Sequence, residues 1–145
     1  MKSIVSSLLV LGVVSRSALA IYGGPLLSKR VSPGFMPLEY VTGSKCDVYG
    51  DRIEIMKFAG MVQIEKQIPI ELKGNIFELI SEAAKGKIEE GHQIADAPTT
   101  SYSAFEIQPT DNVKEVLLFS EGSYNAKNKS KAALTLKNLL DLNCE

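Results

Sequence analysis

The sequence predicts an α+β domain, an antiparallel sheet of four or five strands with two helices packed on one face. Three observations carry this. Between Val62 and Leu72 the apolar residues Val62, Ile64, Ile68, Ile70 and Leu72 keep the even positions, while Gln63, Glu65, Gln67 and Glu71 take the odd ones. That is the period of a half-buried strand, with Lys66 the one break on its apolar side. Two other stretches have helical spacing instead: Ile76, Ile80, Ala83 and Ala84, and then Ala133, Leu136, Leu140 and Cys144. Finally, the strand-like runs cluster and are joined by turn signals, without the repeating strand–helix alternation of a parallel sheet.

The first segment lies outside this domain. Lys2 supplies a positive charge, Ile4 to Val14 is an apolar run of 11 residues, and Ser17-Ala18-Leu19-Ala20 places small residues where a signal peptidase reads. Residues 1–20 therefore read as a cleaved export signal. Eleven apolar residues fall well short of the ~20 that span a bilayer, and Arg16 ends the run. No stable membrane insertion is expected once the signal is removed, and the mature chain is expected in the periplasm or outside the cell. Residues 21–44 hold Gly23, Gly24, Pro25, Pro33, Gly34, Pro37 and Gly43 without a helical or strand period. They read as a poorly ordered arm or as a segment draped over the domain, which itself spans 45–145. Within the arm, Lys29-Arg30 has the form of a dibasic processing site, against the plainer reading of a solvated linker.

From residue 45 the elements follow one another. Lys45–Tyr49 and Arg52–Phe58 read as strands about a Gly50-Asp51 turn. Ala59-Gly60 reads as a second turn, leading into the alternating strand. Pro69, on its polar side, cannot donate to a ladder and so favours a sheet edge or the strand's end. Asn75 followed by Glu78 resembles a capping box at the start of a helix over 76–85, which Gly86 can stop. Residues 88–100 read as a polar loop holding His92. Ser101–Gln108 and Val113–Phe119 form a hairpin about Pro109-Thr110-Asp111-Asn112, and Ser120–Lys129 is a second loop. Ser130 or Asn128 can cap the last helix, which puts Cys144 on or just beyond its core-facing side.

The cysteine count and the charge narrow the classes of function. Two cysteines in an exported chain allow one intramolecular pairing, Cys46 with Cys144, across a loop of about 99 residues worth up to ~4.7 kcal/mol of chain entropy. A free pair or an intermolecular bridge is the alternative. The whole chain has 16 basic and 17 acidic residues and one histidine. Loss of Lys2 and Arg16 with the signal leaves 14 basic residues against 17 acidic, a net charge of −3. Neither value provides a footprint for nucleic acid. One imidazole and two thiols do not make a closed zinc site, so no metal or other cofactor is expected.

Catalytic constellations are sparse. His92, beside Glu89 and Glu90 with Asp96 four residues on, is the one place where a histidine-based hydrolase could be assembled. No GxSxG elbow accompanies it, and a polar-loop histidine is ordinarily just solvated. Asp47/Asp51 and Glu65/Glu71 read as turn or strand-face polarity, and no phosphate loop, dinucleotide fingerprint or HExxH occurs. Asn128-Lys129-Ser130 matches the N-glycosylation sequon. The hairpin tip Lys57–Met61 is unusual. Phe58 and Met61 make it more apolar than a solvated turn needs, as in a partner-binding loop, unless both side chains fold back onto the sheet.

The order strand–strand–helix–hairpin–helix, with Phe58-Ala59-Gly60 at the first hairpin turn and Asp96 ahead of the strand that holds Tyr102, resembles the emfourin-like inhibitors of thermolysin-type metalloproteases over residues 52–142. That resemblance implies a secreted protease inhibitor. The signal peptide, the long arm and the two cysteines are not part of its pattern. From the residues themselves the expectation is a small exported, non-enzymatic binding or structural module of unknown ligand, with the Phe58 and Met61 tip the candidate contact for a protein partner. The inhibitor and a small secreted hydrolase using His92 are the alternatives.

Overall fold

The computed structural model describes residues 22–72 and 74–145; the export signal expected over 1–20 lies outside them. Eight strands form a single sheet: β1 (Leu27–Ser32), β2 (Thr42–Val48), β3 (Arg52–Ala59), β4 (Val62–Pro69), β5 (Ile88–Gln93), β6 (Thr99–Ile107), β7 (Val113–Glu121) and β8 (Tyr124–Asn128). Two α-helices complete it, α1 (Ile76–Ala84) and α2 (Lys131–Asn143). The strand order is β4-β3-β2-β1-β6-β7-β8-β5, and every pairing is antiparallel. β1 to β4 run outward as a meander to one edge. β6 to β8 run outward on the other side, where β5 adds the second edge.

The fold class is as the sequence predicts, but the sheet has eight strands, not four or five. The three additional ones were hidden in segments read as arm or loop. β1 lies inside the Gly/Pro-rich stretch 21–44 and pairs with both β2 and β6. The folded unit therefore reaches back past residue 45. Its period is concealed because the consecutive Leu26 and Leu27 are both buried in the core, and because Lys29 faces the helices with a partner that only the fold supplies. β5 and β8 fall in the stretches read as polar loops. β5 is exposed along its whole length, so its ladder bonds to β8 define it and no apolar face does.

Both helices pack on one face of the sheet, over β1, β6 and β7, and against each other. Leu136 and Leu140 of α2 and Ile80 of α1 are at most 1% exposed and meet Leu27, Val48, Ala104 and Leu118 from the strands. Each such side chain contributes ~1.5–3 kcal/mol by leaving water. Ser130 caps α2, its Oγ accepting from the Ala133 N–H at 3.1 Å. The capping box expected at α1 does not form in that sense. Asn75 makes no side-chain bond to the helix backbone; its Nδ2 donates to Glu78 at 3.3 Å instead.

The opposite face carries no helix, and polar groups pair across it. Ser28 Oγ donates to the buried Asp47 carboxylate at 2.7 Å, and Lys45 closes on the same group at 2.5 Å. Pro69 ends β4, and β4 is an edge strand, the two places its chemistry allows.

Candidate functional site

Cys46 faces the helices from β2, and Cys144 is the C-cap of α2. They are joined as a disulfide with a Cα–Cα distance of 5.8 Å, which ties the end of the last helix to the sheet. Lys29 is directly opposite Cys46 across the β1–β2 ladder, and Tyr102 is opposite Lys29 across β1–β6. Register therefore delivers these side chains to one row beneath α2. Above them, Asp141 accepts from Lys29 Nζ at 2.8 Å and from the Tyr102 hydroxyl at 2.7 Å on one oxygen, and from Lys137 Nζ at 2.7 Å on the other. Both lysines also approach the Tyr102 ring, at 5.3 and 4.8 Å, and Phe119 meets it edge-on at 5.9 Å. A bulge in the β6–β7 pairing at Tyr102/Ser103 brings Phe119 there while Val116 and Leu118 stay in the core.

The electrostatics follow from that geometry. Burial by itself would raise the Asp141 carboxyl, but the bonds from Lys137, Lys29 and Tyr102 outweigh it and hold the group well below the ordinary carboxylate value. Burial first, and then its bond to Asp141, push the Tyr102 phenol up to about 12. A phenol so reluctant to ionise is a poor base or nucleophile, and the carboxylate is already saturated with donors. This cluster anchors α2 to the sheet. Spacing along the chain gave one usable signal for it, the Lys137–Asp141 pair at i, i+4.

The polar residues singled out in the sequence are dispersed. His92 is exposed on β5, and no carboxylate bonds to its ring among the described residues. Glu90 accepts from the Tyr124 hydroxyl at 2.9 Å, and Glu89 pairs with Lys129. Asp96 lies in the turn after β5, at a φ of 60°. No group of three or more His, Cys, Asp or Glu side chains converges among the described residues. A hollow of about 510 Å³ between α1 and the β6–β7 turn is walled by Phe77, Ile80, Phe105, Ile107 and Pro109, with Glu106 its one acidic group. Lys29 and Arg30 are central in β1, bonded on both sides, so cutting between them would sever the middle of the sheet. Asn128 is 4% exposed; its Nδ2 donates to the carbonyls of Ala83 at 2.9 Å and Leu117 at 3.1 Å, and its Oδ1 accepts from the Ser130 N–H. The amide nitrogen that a glycan would occupy is therefore committed to the fold.

The hairpin tip differs in detail from the sequence reading. Ala59 pairs with Val62, so the two turn residues are Gly60 and Met61, not Ala59 and Gly60. Gly60 has a φ of 58°, which a two-residue hairpin turn with glycine first requires. Phe58 folds back: its ring covers Gly43 on β2, where a Cβ would collide with it. Met61 does not, and is 93% exposed. Val41 at the end of the β1–β2 connection accepts from the Gly60 N–H at 2.7 Å, which sets that connection beside the tip. It carries Phe35, 90% exposed, with Met36 and Tyr40. Pro33-Gly34 and Pro37 bracket Phe35-Met36, and the Phe35 N–H donates to the Asp96 backbone carbonyl at 3.3 Å. Val62 and Ile64 at the start of β4 are exposed as well. One end of the sheet thus gathers six large apolar side chains in water. Sequence patterning singled out only Met61 among these as exposed; it put Val62 and Ile64 on the buried side of a half-buried strand, which at this outer edge the helices do not cover.

No family model matches this chain, and no curated protein or solved structure matches it either.

Proposed function

We propose that this chain is a small exported, non-enzymatic binding module whose contact surface is the loop end of the sheet. The observation that carries the reading is the grouping of Phe35, Met36, Tyr40, Met61, Val62 and Ile64, all exposed, at one end of the sheet. Pro33 and Pro37 restrict the loop before any contact is made, which lowers the entropy lost on binding. Export is supported by the disulfide. A non-catalytic role is supported by the dispersal of His92, Glu89, Glu90 and Asp96 onto separate partners.

The double variant Phe35→Ser, Met61→Ser tests the surface. Its unfolding free energy should stay within ~0.5 kcal/mol of the parent, as for exposed sites, while its retention on a phenyl column drops. A loss of several kcal/mol would mean that these side chains are packed, and the reading would fail. His92→Ala tests the hydrolase alternative: any esterase or peptidase activity of the purified chain that disappears in this variant, with stability unchanged, would favour the enzyme. The emfourin-like alternative rests on a Phe58-Ala59-Gly60 turn, which the register moves to Gly60-Met61, and on an element order that β5 and β8 interrupt; no inhibition of a thermolysin-type protease at micromolar protein would retire it.

A further inference from the structure

The β3–β4 hairpin has a gradient along its helix-bearing face. Cys46 fixes which face that is, and the register then assigns the rungs from the tip inward: Ala59 with Val62, Lys57 with Ile64, Ile55 with Lys66. The outermost rung is apolar and the Gly60-Met61 turn beyond it has no charge. The next rungs bring Lys57 and Lys66, both exposed and neither within an ion pair among the described residues. At a rise of ~3.4 Å per residue, the Lys57 rung is about 7 Å behind the last rung. An apolar segment entering the headgroup–acyl boundary goes ~5–10 Å deep. A tip inserted to that depth sets the Lys57 ammonium level with lipid phosphates, and Lys66, on a rung about 7 Å further back, extends its side chain toward them. The neighbouring loop repeats the arrangement, with uncharged Phe35-Met36 between prolines and Tyr40, an amphipathic aromatic suited to the interface, just behind. The nearby carboxylates are Glu65, on the opposite face of the hairpin and bonded by Gln63 at 2.6 Å, Glu39, exposed beside Tyr40, and Asp96, whose backbone carbonyl accepts from the Phe35 N–H.

We infer that the occupant of this end is the surface of an anionic phospholipid bilayer, entered reversibly by the Met61 turn and the Phe35-Met36 loop, with Lys57 and Lys66 on the phosphates. A partner protein would need a pocket shaped to two separate protruding side chains; fluid acyl chains need none. The inference rests on the surface reading above. It describes peripheral contact, and no described helix is long and apolar enough to cross a membrane.

The test is co-sedimentation of the exported chain with vesicles of phosphatidylcholine alone, or mixed with an equal part of phosphatidylglycerol. All variants keep the same N-terminus, so that any contribution from it cancels. The parent should bind the mixed vesicles. Phe35→Ser, Met61→Ser should lose at least tenfold in partitioning, by the apolar area withdrawn. Lys57→Gln and Lys66→Gln should each lose about fivefold on mixed vesicles, the effect of one basic residue at an anionic surface, and nothing on phosphatidylcholine. Failure of the parent to bind, or unchanged binding in either set of variants, overturns the lipid assignment. If that happens while the phenyl-column result holds, the surface reading stands and its occupant is a protein.

Discussion

Asp141 shows how single side chains hold this fold. It collects three donors at 2.7–2.8 Å on the rim of the core. Asp141→Asn should cost ~1–2 kcal/mol, a hydrogen-bonded charge discounted for partial exposure, measured by urea unfolding at neutral pH. Its folded carboxyl is depressed, so its contribution is present above the unfolded value of 3.8 and drains away as pH falls below that. The parent should therefore lose more stability than the Asn variant on acidification below about pH 4. Tyr102 has the opposite sign. Its pKa rises from 10.0 to about 12, so its share is complete below pH 10 and is lost between those values. An absorbance titration should find a tyrosine ionising near 12 that Tyr102→Phe removes. Asn128 makes a further claim at this scale. Asn128→Ala takes a donor from the half-buried Leu117 carbonyl and from the Ala83 carbonyl, which keeps the Gly86 N–H, and takes the acceptor from the Ser130 N–H; it should cost ~1–3 kcal/mol. Chain secreted from a eukaryotic host should have no sugar at this sequon, since a glycan on Nδ2 would displace both bonds; a glycosylated yet fully stable protein would contradict this.

Among the elements, α2 is the one held most redundantly. Its apolar face, its Ser130 cap, the Asp141 cluster and the Cys46–Cys144 bond all attach it to the sheet. Thiol titration of the unfolded, unreduced chain should find no free thiols. Reduction should lower the unfolding free energy by ~2–4 kcal/mol, because the bridge joins residues 98 apart. The helix should nonetheless stay docked in the reduced protein, since Leu136 and Leu140 remain buried without the bond. Circular dichroism that falls on reduction alone would show that the bridge is the main attachment. The edge strands are the opposite case. β4 is exposed along nearly its whole length, and Lys66 and Pro69 discourage pairing with another chain. Hydrogen exchange should accordingly be fastest in β4 and β5 and slowest in β1.

At the scale of the whole molecule, β1 is the strand that joins two otherwise separate ribbons. It pairs with β2 on one side and on the other with β6, about half the chain away. A fragment of residues 45–145 retains every element that sequence patterning identifies, but it lacks this strand. It should give a poorly dispersed amide spectrum without cooperative unfolding, whereas a chain beginning at residue 22 should fold. Cooperative folding of the 45–145 fragment would contradict the central role of β1. Leu27→Ala in the full chain provides a graded version, with an expected loss of ~2–5 kcal/mol for an aliphatic side chain that is 0% exposed.

Local pattern was enough for the helices over 76–84 and 131–143 and the strands β2, β3, β6 and β7, which carry an apolar face or strong turn chemistry, and with them came the α+β class. For β4 the alternation placed the strand but not its burial: Val62 and Ile64 lie beyond the helices at the sheet edge and stay in water, and only Ile68, with Ile70 and Leu72 just after the strand, packs against the core. The pairing of Cys46 with Cys144 was legible for a different reason, since two cysteines admit one intramolecular bond. β1, β5 and β8 were not legible. Their stabilisation comes from backbone bonds to strands distant in sequence, and from partners such as Asp141 for Lys29, which no local period records. Likewise the Gly60-Met61 turn looks from sequence much like one at Ala59-Gly60; only the register of β3 against β4 separates them. The exposed loop end was half legible. Met61 stands out in any reading of the tip, but Phe35 and Met36 join it only because β1 carries their loop to the same end of the sheet, and long-range pairing alone decides that.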